Sequence, residues 1–288
     1  NGGRIEMPNR LFTIINVLIL IIITSCRSEP KNQQWIDNLP KPWLLSEAEV
    51  SNILPEFHKR FPNFEGRLKA IALWRIGTPY GLFMLGEEMP PDTDPIIRLD
   101  VSDCTVHVLT TLSFTQSKTW NEAREKLIKI HYKTDEDGNQ IPTYRSRWHF
   151  TSDRIISNPN TVNITNEYVD PSELENVDLI LNVKEDDSEL LDLSWSKNIR
   201  LSYIPNNKID LELLGKLPRV CGIAFVRTSY FKDGLAIAHE GILIDKKDLI
   251  HSSSLANETA KVNFINYYFG ENNPAFDGIL IYKFVPFD

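Results

Sequence analysis

The sequence predicts an α+β protein in which helices come first and a mostly antiparallel sheet comes last. Capped segments with helical spacing of apolar residues fill much of 46–131. Short apolar runs separated by turns fill 219–285, at 220–227, 235–245, 248–253 and 278–285. Helices grouped before strands, rather than alternating with them, indicate segregated layers. A hydrophobic content of 42% with 24% charged residues suits a packed globular domain.

The first helix is expected over Ser46 to Arg60. Ser46 is its N-cap, and Glu49 three residues on completes a capping box. Pro55 should bend or end it, because proline lacks an N–H and crowds the preceding turn. A second amphipathic helix runs from Phe64 to Ile76 and stops at Gly77-Thr78-Pro79. Residues 81–100, rich in proline and acids, read as a loop. A third helix opens at Cys104 and runs to about Gln116, with Val106, Leu109, Leu112 and Ser113 at helical spacing. Thr119 caps a fourth, with Glu122 completing a second capping box, and it reaches about His131. The pattern from 132 to 218 is mixed and reads as a lobe inserted in the core domain. Its Asp135-Glu136-Asp137-Gly138-Asn139 stretch is a turn; it lacks the ligand spacing and final glutamate of a calcium-binding EF-hand loop.

The N-terminal segment reads as an export leader starting at Met7. Arg10 supplies the positive region, Leu11 to Ile23 the apolar region, and Ile23-Thr24-Ser25-Cys26 resembles a bacterial lipobox. The apolar run is short for a membrane span. The expectation is a signal peptide over 1–26, lipidation at Cys26, a polar tether over 27–45 (with Pro30, Pro40 and Pro42), and a folded domain over 46–288. The protein is then exported and membrane-anchored through Cys26, on the periplasmic side of a Gram-negative envelope. A net charge of −8 without a Lys/Arg run argues against nucleic acid as partner. No HExxH or CxxC pattern is present, so no metal site is expected. Of the two remaining cysteines, Cys221 lies in an apolar strand pattern and is expected as a buried free thiol rather than half of a disulfide.

Cys104, His239 and His251 carry the candidate chemistry. A thiol at a helix start gains from the positive end of the helix dipole, which favours thiolate. His239, in the strand pattern Ile237–Ile244, can take and return the proton. His251, in the next strand, can fix the tautomer of that imidazole. Asp103 is expected as a helix cap or substrate contact. Gly241 permits close approach of another backbone or a ligand. Tyr80 is a candidate extra donor at the oxyanion. Tyr144, Arg147 and His149 form a further cluster suited to an acidic, sugar-bearing peptide, or an exposed strand with a solvated face. His58, His107 and His131 read as structural or surface residues.

Taken together, Gly77-Thr78-Pro79-Tyr80, Leu99 to Thr105, Gly234 to Ile242 and His251-Ser252-Ser253 resemble the NlpC-type cell-wall cysteine hydrolases. More narrowly they are similar to the N-acetylmuramoyl-L-alanine amidase-like branch. A Tyr-x-x-Arg-x-His-Phe signature at Tyr144, Arg147, His149 and Phe150 extends the likeness, which covers about residues 65–285. The resemblance implies a papain-like core and a thiol amidase acting on peptidoglycan fragments without metal or other cofactor. It makes Cys104 the nucleophile, His239 the base and His251 the orienting member. The chain departs from the branch at His107 and Leu109, where a phenylalanine and a glutamate are usual. It departs again at Ala236, in place of an aspartate, and at Arg154, in place of a tryptophan. These changes bear on substrate preference. Alternatives are a stem-peptide endopeptidase cutting between D-glutamate and the diamino acid, a catalytically silent muropeptide-binding lipoprotein, or an acyl transferase.

Overall fold

The computed structural model describes residues 30–271 and 273–287. The chain divides into a unit over 1–39, helical at 30–37, and a unit over 40–288 that holds every element below. The expected leader and Cys26 lie outside the described residues. Within the expected tether, Pro42–Leu44 forms a 3-10 turn with Pro42 buried, and the Pro40 carbonyl accepts from the Trp74 indole N–H at 2.9 Å.

Helix α1 (Glu47–Arg60) begins with the expected reciprocal capping box. Pro55 does not end it. Val50, Leu54 and Phe57 form one buried stripe across the proline, and their packing outweighs the one hydrogen bond proline cannot make. Helices α2 (Phe64–Trp74), α3 (Cys104–Thr115) and α4 (Trp120–His131) follow close to their expected bounds. Thr119 caps α4, but the Glu122 carboxylate reaches back to the Lys118 N–H rather than that of Thr119, so the second capping box is displaced by one residue. Helix α3 is buried on all sides from Val106 to Thr115.

The 132–218 segment supplies α5 (Thr151–Ser157), β1 (Thr161–Asn163), β2 (Glu175–Leu181), β3 (Lys197–Pro205) and α6 (Leu211–Lys216). Its strands join the main sheet. The remaining elements are β4 (Val220–Val226), β5 (Ile237–Ile244), β6 (Asp248–Ser253), β7 (Glu258–Asn263), α7 (Phe264–Phe269) and β8 (Gly278–Phe284). The sheet order is β2-β3-β8-β4-β5-β6-β7, with β1 also on β8, and every pairing is antiparallel. Strand β7 was not expected, because Glu258-Thr259-Ala260-Lys261 carries edge-strand polarity and no apolar run.

Alternation along the strands gives the sheet two faces. Cys221, Ile223, Phe225, Leu243, Leu249, Ile279 and Ile281 pack with Leu213 and Leu214 of α6 and Phe264 and Tyr268 of α7. Cys221 is buried there as a free thiol. Helix α3 packs against β5 and β6, between α2 and α4.

All six histidines have their pKa pushed below the ordinary 6.5, with desolvation as the first cause in each case. The unfolded chain therefore binds protons that the folded chain refuses. Their contribution to stability is full above about pH 6.5 and is lost as pH falls towards the folded values. Lowering the pH from 7.5 to 5 should reduce the melting temperature by roughly 10 °C at constant ionic strength. A melting temperature unchanged over that interval would contradict neutral burial of these rings.

Candidate active site

Cys104 is the first residue of α3, and Asp103 before it is the N-cap. One Asp103 oxygen accepts from the Val106 N–H at 2.8 Å and the other from the Phe83 N–H at 2.9 Å. The carboxylate thus caps the helix and ties down the 80–83 loop. That loop is fixed further: the Tyr80 N–H donates to Asn257 O at 3.0 Å, and the Gly81 N–H to Ser102 O at 3.2 Å. The Ser252 hydroxyl of β6 also donates to Ser102 O, at 2.5 Å. Tyr80 lies within electrostatic reach of Cys104 and Asp103, and its phenol is raised first by burial and then by those two neighbours.

The thiol is pushed up to about 12, first by burial and then by the Asp103 and Glu240 carboxylates. A helix start contributes only about 0.3–1 kcal/mol towards an anion. The expected thiolate stabilisation is therefore outweighed, and the resting group at neutral pH is the thiol.

His239 Nε2 and His251 Nδ1 are 2.8 Å apart, with the rings nearly perpendicular at 81°. Two backbone features permit this. Phe225 pairs with His239 but Val226 pairs with Ile237, leaving Ala238 as a bulge that re-aims the strand start. Strands β5 and β6 pair only from Ile242–Ile244 to Asp248–Ile250. Just beyond, a Cβ on Gly241 would lie 3.0 Å from the His251 Cβ, so glycine provides the room for His251. Aromatic rings enclose the pair. Phe225 and Phe276 stack on His239 with centroids at 5.5 and 6.3 Å, and the Tyr267 ring lies 4.4 Å from His251. This dry setting lowers His239 to about 4; His251 is lowered to about 3 by burial and then by His239. With Nε2 committed to His251, the second nitrogen of His239, Nδ1, is left for other work.

Glu240 points to the opposite face and is fully buried. It accepts from Arg154 Nη2 at 2.5 Å, Tyr282 Oη at 2.6 Å, Thr105 Oγ1 at 3.2 Å and Thr151 Oγ1 at 3.3 Å. The Tyr282 ring reaches it by lying over Gly222, where a Cβ would fall inside the ring. This network joins β5, β8, α5 and the residue after Cys104. Glu240 has no role in the sequence reading above, and Arg154 stands there only as a departure. A carboxylate in a buried strand signals a charged partner, but the partner lies 86 residues away. Tyr267 was also missed, having no motif around it.

Tyr144, Arg147 and His149 gather in a 3-10 turn and the chain leading into α5, not in a strand. His149 Nε2 meets Tyr144 O at 2.6 Å, and their rings lie 4.6 Å apart. The Arg147 guanidinium is engaged by buried Glu87 and by Asp92, each at 2.7 Å. Tyr144 lines a groove of about 930 Å³ with Met89, Pro90, Asp92, Arg145 and Asp192. The Arg147 ion pairs thus run to the 87–92 loop, while His239 and His251 pair with each other on β5 and β6. Among the described residues, no set of three or more His, Cys, Asp or Glu side chains could hold a metal ion.

The helix headed by Cys104 packs on the two strands that carry His239 and His251, within an α+β fold. The AmiA-like, N-acetylmuramoyl-L-alanine amidase-like family model matches residues 71–273, a span that includes Tyr80, Cys104, His239 and His251, and the chain belongs to that family. No curated protein matches it. Among solved structures it is similar to a protein from Legionella pneumophila str. Philadelphia 1 (21% identity, TM-score 0.65, covering 84% of this chain and 97% of that chain). It is also similar to an N-acetylmuramoyl-L-alanine amidase from Bacteroides uniformis ATCC 8492 (21% identity, TM-score 0.58, covering 76% and 97%). At these identities the likeness concerns the fold.

Proposed function

We propose that the protein is a cysteine amidase with a papain-like, NlpC-type core that hydrolyses the N-acetylmuramoyl–L-alanine amide bond of peptidoglycan fragments. The observation that carries this reading is the 2.8 Å His239–His251 contact beside a helix headed by Cys104. Family membership supports the substrate class. Export and anchoring at Cys26, on the periplasmic side of the envelope, belong to the same proposal, on the lipobox-like sequence alone.

The chemistry follows from the residues. His239 Nδ1 takes the thiol proton as Sγ attacks the amide carbonyl. With the thiol at about 12 and the imidazole at about 4, the transfer accompanies attack and does not precede it. The oxyanion is met by the Cys104 N–H, one of the unpaired donors of a helix start, and by the Tyr80 hydroxyl. The His239 imidazolium, donating its Nε2–H to His251 Nδ1, gives the Nδ1 proton to the leaving amine of L-alanine. Water, deprotonated by the same nitrogen, then cleaves the thioester, releasing the muramoyl acid and restoring the thiol.

His251→Ala should lower kcat by about 10- to 100-fold with little change in KM, because it loosens the base without touching bound substrate. Equal loss in KM would move His251 into substrate binding. Acid-quenched intact-mass measurement tests the bond cleaved. An N-acetylmuramoyl adduct on Cys104 supports the amidase; a stem-peptide acyl adduct moves the protein to the endopeptidase reading. The high thiol pKa favours one other reading, a muropeptide-binding protein without turnover, for which no adduct forms.

A further inference from the structure

The loop that passes the nucleophile presents an aromatic ring to solvent. Phe83 is 78% exposed and Leu82 beside it 52% exposed. Large aromatics are usually covered, and a bulky residue with φ of +55° is uncommon and strained. The strain is held by the Asp103 carboxylate, which takes the Phe83 N–H and caps the Cys104 helix with its other oxygen. Gly81 is pinned too, since a Cβ there would meet Val101 at 2.9 Å. The ring is thus exposed on a loop tied to the residue before the nucleophile. Residues 76–86 carry no charged side chain.

We infer that Phe83 is the stacking platform for the pyranose ring on the acyl side of the scissile amide. This rests on the amidase reading above. In that substrate, the stem peptide carries carboxylates and an amine, whereas the sugar next to the lactyl carbonyl offers an uncharged face of C–H groups. An uncharged loop bearing a rigid aromatic complements the sugar, and the Arg98 guanidinium that donates to its Met84 carbonyl is already held by Asp100. Rigid anchoring lets the ring contribute contact at small ordering cost.

The test uses the full chain carrying Cys104→Ala, so that ligands bind without turnover. Two ligands are titrated: N-acetylmuramoyl-L-alanyl-D-isoglutamine, and the same dipeptide acylated by lactate alone, which keeps the amide and loses the sugar. Phe83→Asn removes the ring while suiting a positive φ. It should weaken the muramoyl ligand by roughly five- to tenfold and the lactoyl ligand by less than about twofold, with an unchanged melting temperature. Phe83→Trp should restore the muramoyl affinity. Equal weakening of both ligands, or of neither, overturns the inference while leaving the amidase reading in place. Failure of the parent protein to prefer the muramoyl ligand overturns both.

Discussion

Replacing Cys104 with alanine should abolish muropeptide cleavage, with a fall in kcat of about 10³-fold or more, while the melting temperature stays within about 2 °C of wild type. The thiol heads α3 but does not hold it: Asp103 supplies the cap through the Val106 N–H, and buried residues from Val106 onwards supply the packing. The wild-type thiol should also be distinctive towards alkylating agents. Because burial and the Asp103 and Glu240 carboxylates raise it to about 12, iodoacetamide modification should keep rising with pH past 9. A plateau near neutral pH would mean a preformed thiolate–imidazolium pair, contrary to the electrostatics described. Residual cleavage by the alanine variant at wild-type rates would remove Cys104 from the reaction altogether.

The second large effect is expected at the Arg154–Glu240 pair. Arg154→Leu leaves the Glu240 carboxylate buried with only Tyr282 and two threonine hydroxyls as donors. Removing one partner of a buried ion pair costs about 3–5 kcal/mol. Urea unfolding of the single variant should show that loss. The double variant Arg154→Leu, Glu240→Leu removes the stranded charge along with its partner, and should recover most of the stability. Activity should not recover with it, because Thr105, next to Cys104, loses its acceptor and β5 loses a tie one residue from His239. Additive losses in the double variant would show that the two groups act independently.

The candidate site is legible in the sequence where its structure is local. A cap at Asp103 before an apolar-periodic helix specified where Cys104 stands, and Gly241 specified where a neighbour could come close. The neighbour proved to be His251. What escaped was non-local. Pairing of Glu240 with Arg154 depends on β8 bringing Tyr282 across Gly222, and α5 bringing Arg154 beneath β5. No local pattern encodes that. Pro55 escaped for another reason: a stripe of three buried residues spans it, and tertiary packing overrode the local rule. Strand β7 escaped because an edge strand is polar by design against aggregation. The 132–218 segment read as an inserted lobe, yet its strands complete the main sheet, since pairing of β1 and β3 with β8 is set by residues about seventy-five to one hundred and twenty positions later.

Amidase activity is tested most directly by mass analysis of purified muropeptides after incubation with the protein and with its Cys104→Ala variant. An N-acetylmuramoyl-L-alanine amidase releases free stem peptide beginning at L-alanine, with the intact N-acetylmuramoyl sugar as the other product, and this is expected from the wild type alone. Stem peptides cut between D-glutamate and the diamino acid, or no products despite measurable muropeptide binding, would contradict the amidase reading.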